Sequence, residues 1–118
     1  MSAPICYVEI SAPDLQLAEK FYQSVFAWHI QKTDILDDYL IFSSGEGQLS
    51  GGFVKDLPLN KGNIVLYIQV DDIPETLEKI SIQGEKTIQE KQKISDEYGF
   101  CALFVDPNGN HMGLWSQT

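Results

Sequence analysis

Val65-Leu66-Tyr67-Ile68-Gln69-Val70-Asp71-Asp72-Ile73 runs from an apolar, β-branched segment into a pair of aspartates. The apolar run predicts a strand over Asn63 to Val70. The aspartates predict a helix cap, because a carboxylate there accepts from the unpaired N–H groups of a first turn. Ile73, Leu77 and Ile80 then recur at helical spacing, and Gly84 supplies the permissive residue that closes such a helix. The same plan stands 58 residues upstream, where Asp14-Leu15 matches Asp72-Ile73. Ile5 to Ile10 predicts a strand, Ser11 or Asp14 a cap, and Ala18, Phe21, Tyr22 and Val25 one apolar helical stripe.

Three further strands are expected after each helix. They are Trp28 to Lys32, Tyr39 to Ser43 and Gly51 to Lys55 in the first half, and Lys86 to Glu90, Phe100 to Val105 and His111 to Ser116 in the second. Asp106-Pro107-Asn108-Gly109 joins the last two with the residues a type I turn favours. The terminal hairpins match at a shift of 62, pairing Phe42 with Phe104, Gly47 with Gly109, Gly51 with Gly113 and Phe53 with Trp115. Two β-α-β-β-β modules, about 4–57 and 63–117, therefore form one α+β domain over residues 1–118, with Leu57 to Gly62 as the connection.

The composition is that of a globular chain: 118 residues, 43% hydrophobic and 21% charged, enough for one domain with its own core. A formal charge of −9 opposes binding to nucleic acid and favours cationic small molecules, although it also serves solubility. Cys6 and Cys101 lie far apart in apolar runs and have no C-x-x-C spacing, so buried, reduced thiols and a cytoplasmic location are expected. No export signal and no apolar run of membrane-spanning length stands in the sequence.

Tyr7-Val8-Glu9-Ile10, Val65 to Ile73 and Phe104-Val105-Asp106-Pro107-Asn108-Gly109-Asn110 together resemble the vicinal oxygen chelate superfamily, which includes glyoxalase I, bleomycin-resistance proteins and extradiol dioxygenases. The resemblance spans about Ile5 to Trp115. It implies paired modules forming a curved mixed sheet around a cavity, outer helices and a homodimer. It also implies that metal-dependent members hold a divalent ion with a His or Gln on the first strand and a Glu on the fourth strand of each module. Such an ion stabilises enolate or alkoxide charge and needs several N and O donors around open coordination positions.

Carried over residue by residue, the first-strand ligand positions fall on Tyr7 and Val65, and the fourth-strand positions on Gly51 or Gly52 and on Gly113. Glycine and valine offer no side-chain donor, and a neutral phenol is a weak substitute for imidazole. No metal cofactor is expected on this ground. A divalent ion held by Glu9 and His111 is the minority alternative. His29, the other histidine, is expected at the surface or near a helix end.

If Tyr7 and Val65 face the cavity, alternation sends Glu9, Tyr67 and Gln69 to the same side, and His111 and Trp115 with Gly113. Tyr7, Glu9, Tyr67, Gln69, His111 and Trp115 are thus the candidate pocket, combining aromatic faces with a carboxylate, an amide and an imidazole. The competing reading of each is a residue that packs in the core or lines a dimer contact. Gly45 to Gly51 lacks the spacing and the Lys-Ser or Lys-Thr of a phosphate loop, and no nucleophile elbow is present. The expected activity is binding of a small organic ligand. The alternatives are a lyase, isomerase or dioxygenase related to lactoylglutathione lyase, with an unconventional metal or acid–base chemistry from Glu9 and His111, and an accessory interaction domain.

Overall fold

The computed structural model describes residues 2–59, 61 and 63–118. The connection expected at Leu57 to Gly62 includes Asn60 and Gly62, which lie outside the described residues. The chain divides into two compact units, 1–59 and 60–118, each built on a four-stranded mixed sheet in an α+β arrangement.

The first unit contains β1 (Val8–Ser11), α1 (Leu15–Phe26), β2 (His29–Lys32), β3 (Tyr39–Ser43) and β4 (Ser50–Val54), in the sheet order β1-β4-β3-β2. β1 runs parallel to β4, and the other pairs are antiparallel. Asp14 is the cap of α1, its Oδ1 accepting from the Leu17 N–H at 3.1 Å. Ser11 instead spends its hydroxyl on the carbonyl of Leu57. Ala27 closes the helix in the left-handed conformation. Ala18, Phe21 and Tyr22 are buried, together with Ile10, Trp28, Ile30, Leu40, Phe42 and Phe53. Tyr22 stacks on Trp28 at 4.7 Å between centroids, Trp28 on Phe42 at 4.6 Å, and Phe53 lies 5.1 Å from both Tyr22 and Phe42. An aromatic cluster of this kind supplies a large share of a small unit's burial energy, at about 1.5–3 kcal/mol per buried ring.

The second unit repeats the order with β5 (Tyr67–Gln69), α2 (Ile73–Ile82), β6 (Lys86–Ser95), β7 (Gly99–Val105) and β8 (His111–Ser116), in the sheet order β5-β8-β7-β6. Asp72 caps α2 by accepting from the Glu75 N–H at 2.9 Å, and Gly84 follows the helix with a φ of +90°. Ile73, Leu77, Ile80, Ala102, Phe104, Met112 and Leu114 form a mostly aliphatic core in place of the aromatic cluster of the first unit.

The motif Asp106 to Asn110 is structural. Asp106 is buried, and its carboxylate accepts three hydrogen bonds of 2.9 Å, from the Asn108 and Asn110 N–H groups and from the Asn110 side-chain amide. The Gly109 N–H also donates to the Asp106 carbonyl at 3.0 Å, closing the expected turn. Among the described residues, no helix is long and apolar enough to cross a membrane.

Both cysteines are free, but neither is buried as expected. Cys6 is exposed because it precedes the paired part of β1. Cys101 is half-buried because alternation puts it on the face opposite Ala102 and Phe104.

Candidate functional site

Strand register decides which side chains share a face. Phe53 packs with Tyr22 and Phe42, so its neighbour Gly52 points to the other face of the first sheet, level with Glu9 and Ile41. In the second sheet Met112 and Leu114 join the core, which leaves His111, Gly113 and Trp115 on the opposite face. Gly113 pairs with Tyr67, and Trp115 with Gln69 on one side and Cys101 on the other.

These pairings correct the match between hairpins. Gly52 corresponds to Gly113, and Phe53 to Leu114, because each pair shares a face and a burial class. The match of Phe53 with Trp115 would set a core residue against one from the opposite face. Phe42 and Phe104 do correspond, both being buried. The two modules thus differ by one residue between their third and fourth strands.

Each of the two glycines seats a tyrosine. A β-carbon built on Gly52 would lie 2.1 Å from the Tyr39 hydroxyl oxygen and 2.2 Å from its Cζ. One built on Gly113 would lie 2.5 Å from Cδ2 and 2.6 Å from Cε2 of Tyr67. Real β-carbons do not tolerate such distances, so hydrogen is the side chain that admits the ring in both places.

Tyr39 is the residue that sequence reasoning missed. Its hydroxyl lies 2.7 Å from that of Tyr7. Burial pushes its pKa well above the ordinary phenol range, and hydrogen bonds to Tyr7 and Glu9 push it further. Tyr39 is therefore a neutral phenol across the physiological range. The signal was present in the alternation of β3, where Leu40 and Phe42 take the core face and leave Tyr39 on the face of Gly52.

Among the six candidates, Tyr7 and Glu9 come together with Tyr39 in the first unit, both well exposed, Tyr7 at 44%. Tyr67, Gln69, His111 and Trp115 share one face of the second sheet; Tyr67 is 53% exposed, Gln69 exposed, and His111 and Trp115 half-buried. The Trp115 indole N–H donates to the Tyr98 carbonyl at 2.6 Å, so this side chain offers its ring face and not its donor. His29 opens β2 at the surface, with Nε2 3.4 Å from Oε1 of Gln31.

The superfamily's metal set does not fit these residues. Tyr7 and Val65 precede their strands, and phenol rings fill the space that the stems of glutamates at positions 52 and 113 would need. Among the described residues, no group of three or more His, Cys, Asp or Glu side chains is arranged to hold a metal ion.

No family model matches the chain. A glyoxylase-like domain-containing protein from Didymella fabae is 28% identical over 120 aligned positions, covering 87% of this chain and 85% of the relative. Among solved structures, a glyoxalase/bleomycin resistance protein/dioxygenase family enzyme from Burkholderia phytofirmans PsJN superimposes with a TM-score of 0.77 at 18% identity, over 98% of this chain and all of its own. TnmS3, an antibiotic binding protein from Streptomyces sp. CB03234, superimposes with a TM-score of 0.74 at 19% identity, over 100% of this chain and 99% of its own. With a glyoxylase-like sequence relative and these structural neighbours, the chain has the fold of the glyoxalase/bleomycin-resistance/dioxygenase, or vicinal oxygen chelate, superfamily.

Proposed function

We propose that this chain binds a small organic molecule and does so without the four-ligand metal centre that its superfamily resemblance implies. One observation carries the reading: at both fourth-strand positions a glycine stands where a glutamate would ligate, and a tyrosine ring occupies the freed space. Rings seated in this way on paired strands give flat, rigid contact surfaces, and the polar groups of Glu9, Gln69 and His111 beside them supply orientation. The similarity to an antibiotic binding protein agrees with a ligand-holding role. A homodimer in the cytoplasm completes the proposal, and a formal charge of −9 favours a neutral or cationic ligand over nucleic acid.

Metal analysis of purified protein, followed by melting with added divalent ions, tests this directly. We expect substoichiometric metal and no stabilisation by Ni, Zn, Fe or Mn, whereas a tightly bound stoichiometric ion would refute the proposal. A panel of aromatic compounds should raise the melting temperature, and that response should be removed by Glu9→Ala for a ligand held on the first unit or by Tyr67→Ala for one held on the second. Size-exclusion chromatography with light scattering tests the dimer.

A further inference from the structure

We infer that the face of the second sheet opposite its core holds an uncharged planar heterocycle whose edge carries a hydrogen-bond donor beside an acceptor, as a lactam does, and that Gln69 reads that edge. The inference names the ligand class of the binding function proposed above and rests on it. Tyr67 and Gln69 stand two residues apart on one face of β5, about 7 Å along the strand. Trp115 is the register partner of Gln69, about 5 Å to its side. Gln69 therefore rises at the corner between two aromatic residues. The Tyr67 ring lies across Gly113 and is still 53% exposed. The Trp115 indole is fixed by its bond to the Tyr98 carbonyl, so it meets a ligand with its ring alone.

The rings supply stacking area, and Gln69 supplies direction. Gln69 is exposed, and among the described residues its side-chain amide makes no hydrogen bond. An amide offers a carbonyl acceptor and an NH2 donor side by side. Its complement is an edge with N–H next to C=O, or a ring nitrogen next to an amino group. Charge removes the other ligand classes. The row of Gln69 continues through Trp115 and Cys101 to Gln92, and that of Tyr67 through Gly113 and Leu103 to Gln89. These two rows hold no carboxylate, so a cation finds no ion pair there. Glu90 stands on the far edge strand, in the irregular stretch between Gln89 and Gln92. An anion meets the field of a chain with a formal charge of −9, and Lys86 is on the same far edge, level with Val105 and His111. A neutral ring with a polar edge avoids both losses.

The test titrates the full chain at neutral pH with 2-quinolone, N-methyl-2-quinolone and 2-naphthoate, read by calorimetry. The N-methyl compound keeps the rings and the carbonyl and loses the donor. We expect 2-quinolone to bind, its N-methyl analogue to bind about tenfold more weakly because the Gln69 carbonyl then faces a methyl group, and the naphthoate to bind more weakly still. Gln69→Leu should bring the two quinolones to within about twofold of each other. Gln69→Glu keeps the size of the side chain but sets an acceptor against the ligand carbonyl, so it should also weaken 2-quinolone about tenfold. Both variants change an exposed side chain, and their melting curves confirm the fold. Equal binding of the two quinolones by the unmodified chain, tighter binding of the naphthoate, undiminished discrimination by Gln69→Leu, or no binding of 2-quinolone overturns the inference. If other aromatic compounds still raise the melting temperature in that event, the broader proposal stands. Stoichiometric metal in the purified protein would remove the broader proposal itself.

Discussion

Tyr67 and Gly113 are register partners on neighbouring parallel strands, and the tyrosine ring covers the glycine so closely that an added β-carbon would sit 2.5 Å from its Cδ2. The Tyr39 ring covers Gly52 just as closely across an antiparallel pair, but diagonally, since Tyr39 is the register partner of Val54 and Gly52 that of Ile41. The two modules have reached one packing solution from different strands: in the first the ring comes from the third strand, in the second from the first. The positions at which the superfamily resemblance places metal-ligating glutamates are therefore filled as well as vacated.

Gly113→Ala should cost about 1–3 kcal/mol, because the new methyl forces the Tyr67 ring off its rotamer. The double variant Gly113→Ala/Tyr67→Ala should lose less than the two single losses combined, since the obstructing ring is gone. Gly51→Ala should be worse than Gly113→Ala. Its β-carbon would meet the backbone carbonyl of Val8 at 1.8 Å, and a backbone atom in a paired strand cannot swing away. Urea unfolding of the unmodified chain and the four variants, Tyr67→Ala included, checks the order, and equal losses in Gly51→Ala and Gly113→Ala would refute it.

Asp106→Ala should destabilise the chain by about 2–4 kcal/mol. The variant loses a buried acceptor and, with it, the hydrogen bonds that this carboxylate takes from the Asn108 and Asn110 N–H groups and the Asn110 amide. Ligand affinity per folded molecule should not change, because none of these atoms belongs to the candidate site. Denaturant midpoints and calorimetric Kd values separate the two effects.

Much of this architecture was legible in the sequence because local chemistry determined it. Asp14 and Asp72 are caps because each precedes an apolar helical stripe, and the Asp106 turn follows from its own residues. The register of the fourth strand was not legible. Adjacent glycines at 51 and 52 match Gly113 equally well by identity, and only the burial of Phe53 and Leu114 decides between them. The far half of β6, Lys91 to Ser95, lacked an apolar alternation because it is a largely exposed edge strand held by β7 through an irregular register. Tyr39 was missed as a site residue because its role arises from contacts with residues 7, 9 and 52, which only strand pairing brings together.

Tyr39 should stay un-ionised well beyond the ordinary phenol pKa of about 10. Its folded-state pKa is raised, so the stability it contributes is complete below the unfolded value and is lost only as pH climbs through the folded one. In a near-ultraviolet alkaline titration of the folded protein, Tyr39→Phe should leave the phenolate absorbance gained by about pH 11 nearly unchanged. A clear fall in that amplitude would show that Tyr39 itself ionises in the ordinary phenol range.

Glu85 provides a test at the acidic end. Its carboxyl is held above the ordinary value of 4.5, first by partial burial and then by the nearby charge of Asp106. The folded state therefore binds the Glu85 proton more tightly than the unfolded chain does. The stabilisation from this proton is fully present below about pH 4, and it disappears as pH rises through the folded-state value. At pH 7 an ionised Glu85 opposes folding, so Glu85→Gln, which removes the charge and keeps the shape, should raise the melting temperature. The same substitution should have little effect below about pH 4, where the native side chain is already protonated. Melting curves of both proteins across this range should converge toward acid and separate toward neutrality, with the variant the more stable. Separation in the opposite sense would mean that the Glu85 charge is favourable in the fold.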